Sequence, residues 1–387
     1  MQSTPQILTS IGCILLLSLV THYVGQRTLI PRATLLIILG IIIGKQGLNV
    51  IPSAIENNYE LIANVTLLMV GFLLGGQLNL DYLKKLGGKI FWISLFAALG
   101  AIICVFFGLL WAGAPIVVAV LLACISSSTA PAATADVINE LNDKGNFSKM
   151  ILSIVAIDDV LGLIFFSLGL AALAFIQHTH GVMEPLIIAI REIGGALLLG
   201  ALIGWPAAYL TGRIDKGRPM LIEALGLVLL CGGIALWLEL SFLIAAIMLG
   251  AMIRNLARHH EHAFHEIENI EWPFMVLFFV LAGASFELGS VSTTAVMGVI
   301  YILCRAFGKI MGSALAASLS KAEKFTRRWS GLALLPQAGV AIGMALVAAN
   351  HFPEYRQTIL NLVIMTTIFF EIVGPIFTRM AVSRSHL

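Results

Sequence analysis

The most constraining feature of this sequence is a series of long apolar runs that recurs from one end of the 387-residue chain to the other. A helix of about 20 apolar residues spans the roughly 30 Å hydrocarbon core of a bilayer. Hydrophobic residues make up 59% of the chain and charged residues 11%, whereas soluble domains contain about 25% charged residues. Because 23 basic and 21 acidic side chains cannot cover so much apolar surface in water, we expect an all-α polytopic membrane protein and exclude soluble enzymes.

Thirteen apolar segments meet this length criterion, and only short stretches of chain separate them. They are 6–24, 29–44, 60–78, 90–112, 115–138, 149–176, 186–211, 220–238, 240–256, 272–287, 291–319, 329–350 and 357–381. We therefore predict thirteen transmembrane helices in one membrane domain, without a separate module joined by a linker.

The Lys and Arg residues between the segments fall mainly on one side of the predicted membrane. Eighteen of the 23 follow odd-numbered segments, while Lys45 and Arg356 lie on the other side and Arg191, Arg305 and Lys309 lie within segments. Basic loops are enriched on the cytoplasmic side of membranes. The sequence therefore predicts an N-terminus outside and a C-terminus in the cytoplasm.

No motif for a bound cofactor, metal centre or nucleotide is present in the sequence. The five cysteines lie within apolar segments without CxxC spacing, and there is no GxxxxGK[ST] loop. No basic residue precedes the first apolar run, so we interpret it as a spanning helix rather than a signal peptide, and we expect no soluble regulatory domain after the last run. We expect no cofactor, no catalytic residue and no nucleic-acid partner; the expected partners are small cations and the lipid bilayer.

The thirteen segments divide into two sets of six joined by segment 7, and the two sets have opposite orientations. Inverted repeats are common in transporters, which bind their substrate near the midplane where interrupted helices meet. We therefore predict two inverted six-helix repeats plus a linking helix.

Corresponding segments of the two halves each contain a polar, Pro-containing break. Segment 5 has Ser128, Thr129 and Pro131, and segment 12 has Pro336 and Gln337. Proline removes a backbone donor and opposes the preceding helical turn, so hydroxyl groups and freed carbonyl groups here can bind a cation. The alternative is an ordinary proline kink in each helix.

Charged side chains lie deep within three predicted spans, where each costs roughly 2.5–3.5 kcal/mol on insertion scales. Asp158 and Asp159 are adjacent in segment 6, and Arg305 and Lys309 share one face of segment 11. Glu371 in segment 13 occupies the position that corresponds to the Asp pair. We predict that the two aspartates bind the ion and that Lys309, Arg305 and Glu371 form salt bridges that couple to it. A purely structural ion-pair network is the alternative.

A buried carboxylate can bind a proton or a small hard cation, which prefers oxygen ligands, but not both at once. Competition for Asp159 would couple the two ions without further machinery. The residues themselves therefore favour proton/cation exchange.

Thirteen spans, an Asp-Asp pair in the sixth, a Ser/Thr-Pro break in the fifth and a Lys in the eleventh resemble the NapA-type sodium/proton antiporters. These belong to the cation:proton antiporter-2 family, and NhaA is a more distant relative. The resemblance covers nearly the whole chain and implies an NhaA-like fold with two crossed discontinuous helices. It implies a core ion-transport domain (88–178 and 290–387), a dimerisation domain (1–87 and 216–289) and a linking helix (179–215).

The resemblance also implies a role for individual residues. Asp159 would be the main carrier of the cation and the proton, with Asp158 as a second ligand that exchanges a salt bridge with Lys309. Ser128 and Thr129 would lie near the ion. The protein would be a homodimer in the bacterial inner membrane, and an elevator-like shift of the core domain would expose Asp159 to each side in turn.

Several alternatives remain open from the sequence. A potassium/proton antiporter of the Kef kind typically carries Gln-Asp at the pair and a cytoplasmic nucleotide-binding domain. A sodium-coupled organic-anion symporter would not need the Asp pair or Lys309, and a channel would carry sustained unitary currents. Asp-Asp is associated with electrogenic exchange, yet Arg305 one turn before Lys309 is shared with electroneutral relatives, so selectivity among Na⁺, Li⁺ and K⁺ and the stoichiometry both stay open.

Four histidines crowd the loop that follows segment 9: His259, His260, His262 and His265. Histidine titrates near physiological pH, so the cluster is a candidate pH sensor. We favour a solvated helix end.

Overall fold

The computed structural model of the protein describes residues 4–27, 32–52, 55, 58–78, 88–141, 143, 145–177, 183–211, 220–257, 260–286, 291–337 and 339–384. Every regular element within these ranges is helical, as the composition predicts. A helix satisfies its own backbone hydrogen bonds, which is the requirement for a chain that crosses lipid.

Fifteen α-helices follow one another along the described ranges. They are α1 (Thr4–Arg27), α2 (Arg32–Ile43), α3 (Tyr59–Gln77), α4 (Gly88–Trp111), α5 (Ile116–Ser126), α6 (Pro131–Glu140), α7 (Asn146–Gln177), α8 (Met183–Thr211), α9 (Met220–Trp237), α10 (Phe242–Leu256), α11 (His260–Ala284), α12 (Val291–Leu319), α13 (Lys324–Ala333), α14 (Gly339–His351) and α15 (Arg356–Ser383). A single 3₁₀ turn, Pro353–Tyr355, precedes α15.

The helices coincide with the predicted apolar segments. In the described part of the chain, eight helices are long and apolar enough to cross a membrane, and five further apolar helices are shorter. Two predicted segments, the fifth and the twelfth, are each divided into two helices: α5 and α6, and α13 and α14. The chain is therefore a helical integral membrane protein, while the count of thirteen spans stays a prediction.

The tenth segment differs from its predicted extent. We expected it to begin at residue 272, but α11 begins at His260. Its first turns are amphipathic, with Ala263 and Ile267 buried four residues apart on one face. A search for continuous apolar runs does not detect a helix whose polar face interrupts the run at every turn.

The chain divides into two compact units. One comprises Met1–Ile62, Gly88–Gly162 and Val276–Leu387, and the other comprises Ala63–Gly87 and Leu163–Met275. The first unit contains both divided segments. The transport and dimerisation domains expected from the resemblance stay a prediction.

Within the first unit, α4 and α12 pack backbone against backbone. A side chain at Gly100 would overlap the carbonyl group of Gly308, and a side chain at Gly308 would overlap the carbonyl group of Gly100. Small residues permit such close approach of membrane helices. This contact fixes α12, which carries Arg305 and Lys309.

Within the second unit, α3 and α10 pack in a similar way. A side chain at Gly75 would overlap the carbonyl group of Ile247, and one at Gly250 would overlap the carbonyl group of Phe72. Phe72 also stacks on Phe264, with ring centroids 4.7 Å apart. Glycine pairs therefore set the helix spacing in both units.

Candidate functional site

The first helix break separates α5, which ends at Ser126, from α6, which begins at Pro131. The hydroxyl groups of Ser127 and Ser128 donate to carbonyl oxygens three residues earlier, at 2.6 Å and 3.2 Å. These bonds satisfy carbonyl groups that lose their helical donors where the helix ends. The Ser128 hydroxyl hydrogen is therefore committed to the end of its own helix, while Thr129 points elsewhere.

The second helix break separates α13, which ends at Ala333, from α14, which begins at Gly339. The Ala130 N–H of the first break donates to the Pro336 carbonyl oxygen of the second, at 3.0 Å. Gln337 donates through Nε2 to the Ile125 carbonyl oxygen and to the Tyr301 hydroxyl oxygen, both at 3.1 Å. The two breaks are thus joined by backbone and side-chain hydrogen bonds.

Two glycines bring further helices onto the breaks. A Cβ at Gly162 of α7 would lie 3.1 Å from the Ser128 Cα, and a Cβ at Gly374 of α15 would lie 2.6 Å from the Pro336 Cα. Each helix therefore needs glycine to reach its break. Since Asp159 and Glu371 each lie three residues before one of these glycines, both acids are carried to the region of the breaks.

Asp158 and Lys309 form an ion pair that is fully buried. Thr129 donates its hydroxyl hydrogen to the same Asp158 oxygen, Oδ2. The Lys309 ammonium group also donates to Thr129 Oγ1 at 2.9 Å and to the Ser127 carbonyl oxygen. Removing charges from water is costly unless they are paired and hydrogen-bonded, and this arrangement supplies both conditions.

Arg305 binds carbonyl oxygens of both breaks. Its Nε donates to Ser126 at 3.0 Å, and its Nη2 donates to Ser128 at 2.8 Å. On the other break, Nη1 donates to the Leu335 carbonyl oxygen at 2.7 Å, and Nη2 lies 3.5 Å from that of Pro336. The guanidinium group also stacks over Phe370, 4.2 Å from the ring centroid.

Arg305 makes these contacts with backbone groups rather than with the buried acid Glu371. Among the ion pairs of the described residues, none joins these two side chains. The breaks leave several carbonyl groups without helical donors, and the planar guanidinium group, with its five N–H donors, satisfies them instead.

Asp159 is buried to 1% exposure, and neither of its carboxylate oxygens has a hydrogen-bond partner among the described residues. The second oxygen of Asp158, Oδ1, is buried and unpartnered as well. Buried polar groups in proteins are nearly always hydrogen-bonded, and exceptions call for an explanation such as an ion or a proton. The site therefore presents three free carboxylate oxygens beside a single buried ammonium group.

Glu371 contacts a threonine of α2. Thr34 of α2 donates its hydroxyl hydrogen to Glu371 Oε2, while Oε1 is buried without a partner. Nothing in the sequence indicated Thr34. By contrast, Gly162 and Gly374 each follow one of the two acids, Asp159 and Glu371, by three residues, and this shared spacing in the sequence is a signal that both acids lie near a break.

The histidine cluster does not form a metal site in the described part of the chain. His265 and Glu268 are both exposed, with 3.9 Å between Nδ1 and Oε2, and His262 is also exposed. His259 lies outside the described residues. Across the described residues, no group of three or more His, Cys, Asp or Glu side chains could hold a metal ion.

The chain is similar to several known proteins over most of its length. The family model described as "Sodium/hydrogen exchanger, transmembrane" matches residues 14–384. The chain is 23% identical over 359 residues to AmhT, an ammonium/H(+) antiporter subunit of Alkalihalophilus pseudofirmus. This match covers 90% of this chain and 88% of AmhT. The chain is also 26% identical over 376 residues to NhaS1, a low-affinity Na(+)/H(+) antiporter of Synechocystis sp.. This match covers 90% of this chain and 68% of NhaS1.

The fold is similar to that of the sodium proton antiporter MjNhaP1 from Methanocaldococcus jannaschii at pH 8. The TM-score is 0.81 at 19% identity, and the match covers 98% of both chains. A structure of MjNhaP1 from electron microscopy gives a TM-score of 0.74 at 18% identity, covering 99% of this chain and 98% of MjNhaP1. With the family match extending over nearly the whole sequence, this chain belongs to the transmembrane sodium/hydrogen exchanger family, whose members are antiporters rather than enzymes.

Proposed function

We propose that the protein exchanges Na⁺ or Li⁺ for H⁺, with Asp159 binding the cation and the proton in competition. The observation that carries this proposal is the pair of buried, unpartnered oxygens on Asp159. A bare carboxylate in this position is costly, so the side chain is stable only with a proton or a cation attached. Oxygen is also the ligand that hard cations prefer.

The neighbouring ion pair gives the site a second set of ligands. When a cation arrives, Asp158 exchanges Lys309 for the cation, and Thr129 remains hydrogen-bonded beside it. When the cation leaves, Lys309 returns to Asp158. The arrangement found here, with Lys309 on Asp158 and both oxygens of Asp159 free, is consistent with the cation-free state of such a cycle.

Alternating access follows from an elevator-like movement, in which the core (88–178 and 290–387) shifts against a dimerisation domain (1–87 and 216–289) joined to it by a linking helix (179–215). Only a loaded Asp159 crosses readily, because a bare charge in lipid surroundings is costly. The protein acts as a homodimer in the bacterial inner membrane, with its N-terminus outside and its C-terminus in the cytoplasm. The distribution of Lys and Arg supports this orientation.

Glycine contacts support the two inverted repeats on which this movement depends. The α3–α10 contact through Gly75 and Gly250 has a counterpart between α11 and α2, where Gly283 faces the Ile37 carbonyl group and Gly40 faces that of Val280. The reciprocal contact between Gly100 and Gly308 is of the kind that two equivalent helices make across a pseudo-twofold axis.

The positions that correspond in the two halves are separated by nearly the same number of residues. Four such correspondences come from the close contacts: Ile37 with Ile247, Gly40 with Gly250, Gly75 with Gly283, and Gly162 with Gly374. A duplicated six-helix unit, with crossed discontinuous helices at its centre and thirteen spans in all, accounts for this constant spacing.

Ammonium is the second candidate cation. The similarity to AmhT, an ammonium/H(+) antiporter subunit, favours it, whereas the similarity to NhaS1, a Na(+)/H(+) antiporter, favours sodium. Ammonium carries N–H donors for the free carboxylate oxygens of Asp158 and Asp159, while sodium requires additional oxygen ligands at short distance. Potassium exchange of the Kef kind remains a further alternative.

The test is transport in proteoliposomes that contain the purified protein and an internal pH dye. Na⁺, Li⁺, K⁺ and NH₄⁺ are added in turn, with and without a membrane potential, and empty liposomes correct for diffusion of ammonia. We expect pH changes with Na⁺ and Li⁺ that are absent in Asp159→Asn and intact in Glu140→Gln, an exposed carboxylate. Retained exchange in Asp159→Asn refutes the role of Asp159. A response to NH₄⁺ or K⁺ alone would mean that this ion, rather than Na⁺ or Li⁺, is the transported cation.

A further inference from the structure

Glu371 is a second buried carboxyl group that the proposed exchange does not use. It lies on α15 at 2% exposure. Its Oε2 accepts a hydrogen bond from the Thr34 hydroxyl group of α2, and its Oε1 is buried without a partner among the described residues.

The charged groups on the helices that surround Glu371 are engaged elsewhere. Arg305 of α12 donates to the carbonyl oxygens of the two breaks. Arg379, two turns further along α15, pairs with Glu140 of α6 at 3.4 Å. Arg32 of α2 is exposed. In the described part of the chain, no ion pair reaches Glu371.

A negative charge at Glu371 would therefore be stabilised by one hydroxyl group alone. A lone buried carboxylate is far more costly than a neutral carboxylic acid with one unsatisfied O–H group. The Thr34 hydroxyl group donates to Oε2, which acts as the carbonyl oxygen when the proton is on Oε1, and this one hydrogen bond does not offset the cost of burying a bare charge. We propose that Glu371 and Thr34 form a second proton-binding site, separate from Asp158 and Asp159, in which the carboxyl group holds a proton at neutral pH.

The location of the site explains why a protonated acid can persist there. Glu371 and Asp159 each lie three residues before a glycine that contacts a helix break. Asp159, however, has Asp158 and Lys309 beside it, whereas Glu371 has a hydroxyl group and the aromatic neighbour Phe370. Asp159 and Glu371 thus occupy similar positions in the two halves of the fold. Asp159 lies beside charged groups, whereas the Glu371 carboxyl group is neutral in this proposal.

Infrared difference spectroscopy of the full-length protein in liposomes tests this proposal without any transport assay. A protonated carboxyl group has a C=O stretching band distinct from that of a carboxylate. At pH 7 with saturating sodium, which displaces the proton from Asp159 in the proposed exchange, the difference spectrum between wild type and Glu371→Gln should contain this band, whereas the difference between wild type and Glu140→Gln should not. Thr34→Val should keep the band but shift it to higher frequency, because the hydrogen bond to the carbonyl oxygen is lost. Asp159→Asn should leave the band in place.

Two results would overturn the proposal. One is a Glu371→Gln spectrum that retains the full band, which means that the acid is ionised in the wild type. The other is loss of the Glu371-dependent part of the band (wild type minus Glu371→Gln) when sodium is added at constant pH, which means that the Glu371 site binds a metal cation. Should Glu371→Gln fail to fold, the Thr34→Val shift and carbon-13 labelling of glutamate in the wild type decide the question. Failure of sodium exchange with an intact band would refute only the proposed function.

Discussion

Lys309 and Asp158 form an ion pair in which neither side chain is accessible to solvent. The adjacent acid, Asp159, is equally buried and has no partner among the described residues. Two neighbouring carboxyl groups on one helix thus have different surroundings: Asp158 is paired with a cation of the protein, and the oxygens of Asp159 have no hydrogen-bond partner among the described residues.

The apparent affinity for sodium should fall as the pH is lowered. Protons and sodium compete for Asp159 in the proposed mechanism, so acidification occupies the carboxyl group and raises the sodium Kd. For one-proton competition, the Kd should rise by up to about tenfold per pH unit once the carboxyl group begins to titrate. Calorimetric sodium titrations of the purified protein at several pH values measure this, and a Kd that does not change with pH contradicts competition.

Removal of Lys309 alone should destabilise the protein strongly. Lys309→Gln leaves the Asp158 charge buried without its partner, at an expected cost of about 3–5 kcal/mol. The double variant with Asp158→Asn removes both charges and should recover much of the loss. Thermal unfolding of the single and double variants measures the coupling. Strictly additive effects would mean that the ion pair does not stabilise this state.

Arg305→Lys should also destabilise the protein, although the charge is retained. A lysine ammonium group cannot reach the carbonyl groups of both breaks at once, and each carbonyl group left unsatisfied costs about 1–3 kcal/mol. The exposed Arg327→Lys is the matched control and should leave the melting temperature unchanged. Equal melting temperatures for the two variants would show that the guanidinium contacts do not stabilise the breaks.

Gly374→Ala should impair both stability and transport. The new Cβ would lie 2.6 Å from the Pro336 Cα, so α15 or the second break must move. Gly233→Ala is the control, because its Cβ would meet nothing within 4 Å, and alanine is favoured over glycine in helices by about 1 kcal/mol. The two substitutions should therefore have opposite effects on the melting temperature, and transport in proteoliposomes should fall only for Gly374→Ala.

The helical membrane fold could be predicted from the sequence because lipid imposes a simple rule on length and hydrophobicity. The same rule located both breaks, since Pro131 and Pro336 interrupt otherwise apolar spans. It missed the start of α11 because an amphipathic helix does not form a continuous apolar run. The composition of the chain therefore predicted that its elements are helices, whereas the residues at which these helices begin and end depend on packing.

Deep charges could likewise be located in the sequence, but their partners could not. Asp158 and Lys309 were expected to pair, and they do in this state. Arg305 instead binds carbonyl groups, because which carbonyl groups lack donors depends on where the helices end. Thr34 is more than three hundred residues from Glu371 in the chain, and only the folded helices bring these two side chains together.

The contacts of Arg305 have a consequence for the path of the ion. One side chain holds the carbonyl groups of both breaks, and the Ala130 N–H joins them a second time. Opening either break would also remove hydrogen-bond donors from the carbonyl groups of the other break. Neither break can therefore open independently as a gate. In the proposed exchange, an ion released from Asp159 would therefore have to pass beside the hydrogen-bonded breaks, and we expect a substitution in either break to alter the hydrogen bonds of the other.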